Sequence, residues 1–337
     1  MLSPSLFSLY IDKLLVSLES SGYGCHIGNH FYGASAYADD IILLSPTRSG
    51  LQKMFDICFN YFNEHEIIIS TNPDPLKSKT KCIYFPHGNH QEKSIPILMG
   101  EEELPWVENW PHLGNMIHKG DFRLPGKCSF THDLINERGK FIGKFHGLLQ
   151  EFGFSDSLVM LQMVNIYATS FYGSQLWDFS SNEASKLFTS WNVLVRTVFK
   201  VPNTTHRYLV EPLSDTVHMK VILFKRYLGF IHSILDSPKK CLSSLGRKMI
   251  SDHGSVTKQN LTLISMESGF EDVLGVSPCF VVSSILYHPT PPGEEWRVGF
   301  LKELLELRKN SLELDWENDV ILSTEELEDL IRLVASG

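Results

Sequence analysis

Apolar residues at Leu6, Tyr10, Leu14 and Leu18, flanked by Phe7, Ile11 and Leu15, recur at helical spacing. They predict a helix opening at Ser3-Pro4, a capping hydroxyl ahead of a ring already set for the first turn. Gly22, Gly24, Gly28 and Gly33 then break the pattern, and two short apolar runs follow, Ser35 to Ala38 and Ile41 to Leu44, interrupted by Asp39-Asp40. That pattern predicts a β-hairpin with two carboxylates at its tip. After Pro46, an amphipathic helix is marked by Leu51, Met54, Phe55, Cys58, Tyr61 and Phe62 and ends near His65. Strands are expected at 67–69 and 82–85, separated by the turn-rich Asn72-Pro73-Asp74-Pro75 and the lysines Lys77, Lys79 and Lys81, with shorter β segments at 95–98, 104–106 and 113–117.

From Phe130 the period becomes helical, over 130–151, 155–176, 181–199 and 216–236. The charge-free stretch from Leu158 to Trp177 has the length of a membrane span, but Gln162, Asn165, Thr169 and Gln175 interrupt it, so a buried core helix is expected and no membrane partner. The region 249–293 is loosely patterned and reads as linker or irregular structure; helical spacing returns in the tail at 296–307 and 325–333. The reading is an α+β chain in four parts: 1–125, 126–248, 249–293 and an acidic helical tail at 294–337.

Composition changes this picture in two respects. Six cysteines without a CxxC pair give neither a disulfide framework nor a structural zinc site; Cys25-His26 with His30, and Cys128 with His132, lack the second pair a zinc knuckle needs. The opening residues carry no basic and apolar leader, which excludes an ordinary secretory signal and leaves nucleus or cytoplasm as the expected location. The net charge of −9 argues against a general polyanion binder, yet it is unevenly spread: 127–248 carries +6 and 294–337 carries −7. Lys140, Lys144, Arg196 and Lys200 lie in the basic block and are candidates for contact with nucleic acid.

Adjacent aspartates at a hairpin tip repel each other, and a divalent cation relieves that repulsion. Mg²⁺ typically takes one or two carboxylates and completes its shell with substrate phosphate oxygens. The plain alternative is a solvated turn, where Asp is favoured for its backbone alone. No P-loop, GxGxxG or Gly-x-Ser-x-Gly motif competes as a chemical centre. Most of the tryptophans sit among apolar neighbours and read as core or partner-facing side chains.

Five segments of the first 117 residues, taken together, resemble one family. Leu2-Ser3-Pro4-Ser5-Leu6-Phe7, Tyr37-Ala38-Asp39-Asp40, Leu43-Leu44-Ser45-Pro46-Thr47 with Gly50-Leu51-Gln52, Lys77-Ser78-Lys79-Thr80-Lys81-Cys82 and His112-Leu113-Gly114-Asn115 are similar, in order and spacing, to motifs of non-LTR, LINE-type reverse transcriptases of the jockey and CR1 kind. Weaker likeness continues through Tyr172-Gly173-Ser174-Gln175-Leu176-Trp177-Asp178 and Val201-Pro202-Asn203-Thr204-Thr205-His206.

The resemblance implies a partial polymerase palm, with a YADD hairpin and flanking helices, followed by a helical thumb-like region, and an RNA-directed DNA polymerase activity using Mg²⁺. Asp39 would be a metal ligand and Asp40 a second or supporting one. Tyr37 and Ala38 would face the primer terminus or nucleotide, Lys77 or Lys79 the incoming dNTP, and Leu113-Gly114 the primer. RNA template, DNA primer and dNTP are the implied partners. The family also draws a catalytic aspartate from an earlier palm strand, which would lie before residue 1. Asp12 and Glu19, on the opening helix, are in the wrong place to replace it. The expectation is therefore the C-terminal part of a longer polymerase, inactive in isolation; the alternatives are a non-catalytic nucleic-acid-binding remnant working through 127–248, or a product that folds poorly because its sheet keeps an open edge.

Overall fold

In the computed structural model, the residues described are 3–85, 96–119, 131–153, 156–205, 210, 219–278 and 281. The chain is α+β, and it divides into two compact units: 1–130 together with 233–252, and 131–232 together with 253–337. The helices expected at 296–307 and 325–333 lie outside the described residues.

In the first unit, helix α1 (Ser3–Ser20) and helix α2 (Arg48–Glu64) bracket two small hairpins, β1 (His26–Ile27) with β2 (His30–Phe31) and β3 (Ala34–Tyr37) with β4 (Asp40–Leu43). Ile11, Leu14 and Leu18 of α1 and Met54, Phe55, Cys58 and Phe62 of α2 meet in one core, joined by Ile97, Met99, Leu104 and Cys82. The helical period that identified these positions is thus the period of burial. Helix α2 starts where Thr47 caps it, its hydroxyl accepting from the Gly50 amide at 3.1 Å. A side chain at Gly50 would meet the Ser45 and Thr47 hydroxyls at 2.7 and 2.9 Å, so this capped turn admits only glycine without rearrangement.

Two further hairpins follow, β5 (Ile97–Met99) with β6 (Glu102–Leu104) and β7 (Asn109–His112) with β8 (Asn115–His118). Gln52 ties the first of them to α2: its amide donates to the Leu98 carbonyl at 2.8 Å and accepts from the Leu98 amide at 2.9 Å. The expected segments at 95–98, 104–106 and 113–117 are displaced by these registers, because Leu113-Gly114 is a turn, at φ +47 and +79, between strands that flank it.

Residues 67–69 do not form a strand. Ile67 and Ile69 pack on the core and Ile68 is 95% exposed, the alternation of a strand, but among the described residues no neighbouring strand pairs with them. The strand expected at 82–85 shrinks to a single parallel bridge between Cys82 and Trp106. All four two-stranded ladders are separate, so among the described residues the hairpins do not merge into one sheet.

Burial pushes the Cys58 and Cys82 thiols up to about 12 from an ordinary value near 9. Iodoacetamide at pH 8 is therefore expected to leave both unmodified in the folded chain and to alkylate both after denaturation, read by peptide mass mapping; fast labelling under native conditions would contradict this packing. Because the folded values are raised, their contribution to stability is intact below about pH 9 and is lost progressively as pH rises from there towards 12.

The second unit holds α3 (Thr131–Phe152), α4 (Ser157–Ala168), a 3-10 turn (Ser174–Leu176), α5 (Asn182–Val198), most of α6 (Met219–Leu235) and α8 (Val256–Ser268). Between the last two, α7 (Lys240–Ser251) belongs to the first unit, where the Tyr32 hydroxyl donates to the Cys241 carbonyl at 2.6 Å. The core is aromatic: Phe141 lies along Trp191 with ring centres 6.0 Å apart, Phe171 meets Trp177 edge-on at 6.0 Å, and Phe179 contacts Phe224 and Tyr227.

The long helix expected at 155–176 stops at Ala168. Thr169 turns its hydroxyl back onto the Asn165 carbonyl at 2.5 Å, and Phe171 and Gly173 take φ +40 and +73, which reverses the chain and buries Phe171 and Trp177. No helix among the described residues is long and apolar enough to cross a membrane. Within the region read as linker, Val256–Ser268 forms α8, capped by Ser255 onto the Lys258 amide and closed by Gly269 in the left-handed region. Its buried face includes Thr257, Asn260 and Ser268 beside Leu261 and Ile264, so the hydrophobic pattern there is thin. Asn260, at 0% exposure, accepts from the Phe179 amide at 2.9 Å and donates to the Trp177 carbonyl at 2.8 Å, satisfying two buried backbone groups at once.

Candidate functional site

The β3–β4 hairpin pairs Ala34 with Leu43, Ser35 with Ile42, Ala36 with Ile41 and Tyr37 with Asp40, leaving Ala38 and Asp39 as a two-residue turn. Ala34, Ala36, Ile41 and Leu43 pack against the core of the first unit, so one face of the ribbon is anchored on the helices. Tyr37, Ala38, Asp39 and Asp40 are exposed at the free end, with Tyr37 68% accessible. The sequence expectation of two carboxylates at a hairpin tip matches this geometry: Asp39 is in the turn and Asp40 is the first residue of β4.

The turn holds Ala38 at φ +51, a region glycine enters without strain and alanine does not. Ala38→Gly is expected to stabilise the chain by about 0.5–1 kcal/mol, measured by denaturant unfolding. A loss of stability of that size would mean that the turn is not strained.

Lys77 and Lys79 project from the 72–80 loop, both exposed. That loop is organised by its own side chains: Asn72 accepts from the Asp74 amide, Asp74 from the Leu76 amide, and the buried Ser78 hydroxyl donates to the Thr80 carbonyl at 2.5 Å. Lys77 lies 3.8 Å from the Asp74 carboxylate, an exposed and weak pair. Lys81 behaves differently, its ammonium resting 3.4 Å from the centre of the Trp110 ring on β7. Loss of water around it lowers its pKa, against an opposing pull from Asp74. Lys81 thus attaches the end of the lysine loop to the hairpin whose turn is Leu113-Gly114, a pairing not foreseen from sequence because Trp110 reads there as an ordinary apolar position.

The four basic candidates of the middle region separate by role. Lys140 is bonded to the buried Glu137 at 2.7 Å, and that hydrogen bond raises its pKa, yet the side chain stays well exposed. Lys144, one turn further along α3, is exposed. Arg196 spends its guanidinium on the Thr205 carbonyl, at 2.6 Å from Nη2 and 3.1 Å from Nε. Lys200, at φ +54, completes the cap of α5: its amide reaches the Thr197 carbonyl and the Val201 amide the Arg196 carbonyl. Arg196 thus ties the segment after α5 back onto the helix, while the Lys200 side chain is exposed.

Among the described residues no group of three or more His, Cys, Asp and Glu is arranged to hold a metal ion. Two neighbouring exposed carboxylates nevertheless fit the protein's share of a Mg²⁺ shell, which takes its remaining oxygens from phosphates and water.

Comparison with known proteins gives one informative match. Over 122 residues the chain is 42% identical to the retrovirus-related Pol polyprotein from type-2 retrotransposable element R2DM of Drosophila melanogaster. Over that stretch the chain is similar to a retrotransposable-element protein. The match covers 34% of this chain and 11% of that polyprotein, so the chain spans a small part of the relative's length. No protein-family model matches, and no solved structure matches.

Proposed function

We propose that this chain forms part of the palm and thumb of an RNA-directed DNA polymerase encoded by a non-LTR retrotransposon. The observation that carries the reading is the tip of the β3–β4 hairpin, where a tight turn anchored on two helices presents Asp39 and Asp40 together to solvent. Likeness to a retrotransposon Pol polyprotein supports it.

On this reading Asp39 and Asp40 hold a divalent ion against the nucleotide phosphates. Mg²⁺ held by these carboxylates would supply charge stabilisation for nucleotidyl transfer between the triphosphate and the primer hydroxyl. Tyr37 offers its exposed ring to the primer terminus, and Ala38 keeps the turn narrow enough for close approach. Lys77 or Lys79 neutralises the triphosphate, and the Leu113-Gly114 turn supports the primer strand.

The test is a graft. Residues 3–64, containing α1, the two first hairpins and α2, replace the corresponding hairpin-bearing segment of an active non-LTR reverse transcriptase, and primer extension is assayed on an RNA template with Mg²⁺ and dNTPs. Template-directed extension above a mock graft is the expected result. A folded graft that binds template and primer but adds no nucleotide would overturn the proposal.

A second reading is a non-catalytic nucleic-acid binder using the exposed Lys140 and Lys144 on α3. It expects salt-sensitive binding to an RNA–DNA hybrid that survives Asp39→Asn and weakens in Lys140→Ala/Lys144→Ala.

A further inference from the structure

Helices α3 and α5 pack against each other in the second unit and leave an open groove along their contact. It is lined by Arg138, Ile142 and His146 on α3 and by Lys186, Ser190 and Val193 on α5, above a floor of buried Phe141, Phe145 and Leu194. Arg138 reaches across it, donating from Nε to the Ser190 hydroxyl at 3.1 Å. Val193 is 49% exposed although it belongs to a helix whose other apolar residues are largely buried. The lining contains basic, apolar and hydroxyl side chains and no carboxylate; Lys186 pairs with Glu183, outside the lining, at 2.5 Å.

Such a surface suits a ligand that is itself amphipathic and acidic. A nucleic-acid backbone would satisfy Arg138 and Lys186 but would leave Ile142 and Val193 against a charged strand. The sequence holds one stretch with the complementary character. In residues 323–334, Leu327, Leu330, Ile331 and Val334 fall at i, i+3, i+4 and i+7, with Leu333 beside them, and Glu325, Glu326, Glu328 and Asp329 lie between, with Arg332 the one cation. Ser323 and Glu326 have the spacing of a capping box, which would start a helix at that point. From Val281 to Ser323 the intervening chain has a contour of about 60 Å even at the rise of a helix, ample for a unit of this size.

We propose that the α3–α5 groove is the docking site of the chain's own acidic segment 323–334, with its leucines over Ile142 and Val193 and its carboxylates facing Arg138 and Lys186. The groove and the segment carry opposite charge, matching the division between the +6 middle region and the −7 tail. The inference stands independently of the polymerase reading.

The test uses the complete 337-residue chain with p-benzoylphenylalanine at position 193, irradiated at low concentration and mapped by mass spectrometry. The expected result is an adduct within one chain, to residues 323–334. Its yield falls about fivefold in Arg138→Glu/Lys186→Glu and returns when Glu325→Lys and Glu326→Lys are added. Because the groove substitutions could perturb packing, Leu330→Asp is made alongside them, and it is expected to remove the adduct without changing the thermal melt. An adduct to any other segment, an adduct between two chains, the absence of an adduct, or a yield indifferent to Leu330→Asp would each overturn the proposal.

Discussion

Asp39→Ala in the grafted polymerase is expected to lower the single-turnover rate of nucleotide addition by about 10³-fold or more, with primer–template affinity changed less than about threefold. The argument is local. Asp39 sits in an exposed two-residue turn and supports no packing, so its removal leaves the ribbon and the two helices beneath it intact. On the proposed function, what disappears is a charge that would hold an ion acting in the chemical step rather than in binding. Asp40→Asn is the informative partner: Asp40 lies in the β4 ladder opposite Tyr37, and the amide keeps the shape while removing the charge. A smaller loss there would mark Asp39 as the principal ligand. If Asp39→Ala retained a rate within threefold of the parent graft, the carboxylates would be a solvated turn and nothing more.

The second large effect is on stability. Lys220 on α6, 8% exposed, places its ammonium 2.6 and 2.8 Å from the two oxygens of Glu267 on α8, and the same ammonium lies 5.6 Å from the centre of the Phe188 ring. Lys220→Ala strands the Glu267 carboxylate in a partly dry site and is expected to cost about 2–4 kcal/mol in denaturant unfolding. Lys220→Met/Glu267→Leu removes both charges while filling the space, and should return to within about 1 kcal/mol of the parent. Independent, additive losses in the single variants would show that the two side chains do not work as a pair.

Much of the architecture was legible in the residue pattern, and the reasons are physical. Helices α1, α2, α3 and α5 fall within a few residues of their sequence spans because each buries a continuous apolar stripe, and the Asp39-Asp40 hairpin was readable because alternation and a polar interruption mark a turn. Helix α8 escaped because its inner face uses Thr257, Ser268 and Asn260, the last held by partners about 80 residues away. The stop at Ala168 escaped because Thr169 and Ser170 are not strong breakers; the decisive event is the burial of Phe171 and Trp177, a tertiary gain. Residues 67–69 carry the alternation of a strand, but a ladder needs a second strand, and a one-dimensional pattern says nothing about whether one is present. At the candidate site the sequence identified the paired carboxylates of the hairpin tip, but not the fold of the Arg196 guanidinium onto the Thr205 carbonyl, which depends on the path of the chain after α5.

The hydroxyl of Tyr32 closing on the carbonyl of Cys241 sets an order of events on the ribosome. The first unit draws on residues 233–252, so it cannot finish its packing when its own first 130 residues emerge. At roughly 5–20 residues per second, the wait for that later helix is on the order of 5 to 20 s. During it, the residues of the second unit between 131 and 232 are translated in full. The nascent hairpin region therefore spends its first seconds with the seat of α7 open, and a chaperone that acts on this chain would find its substrate in that interval.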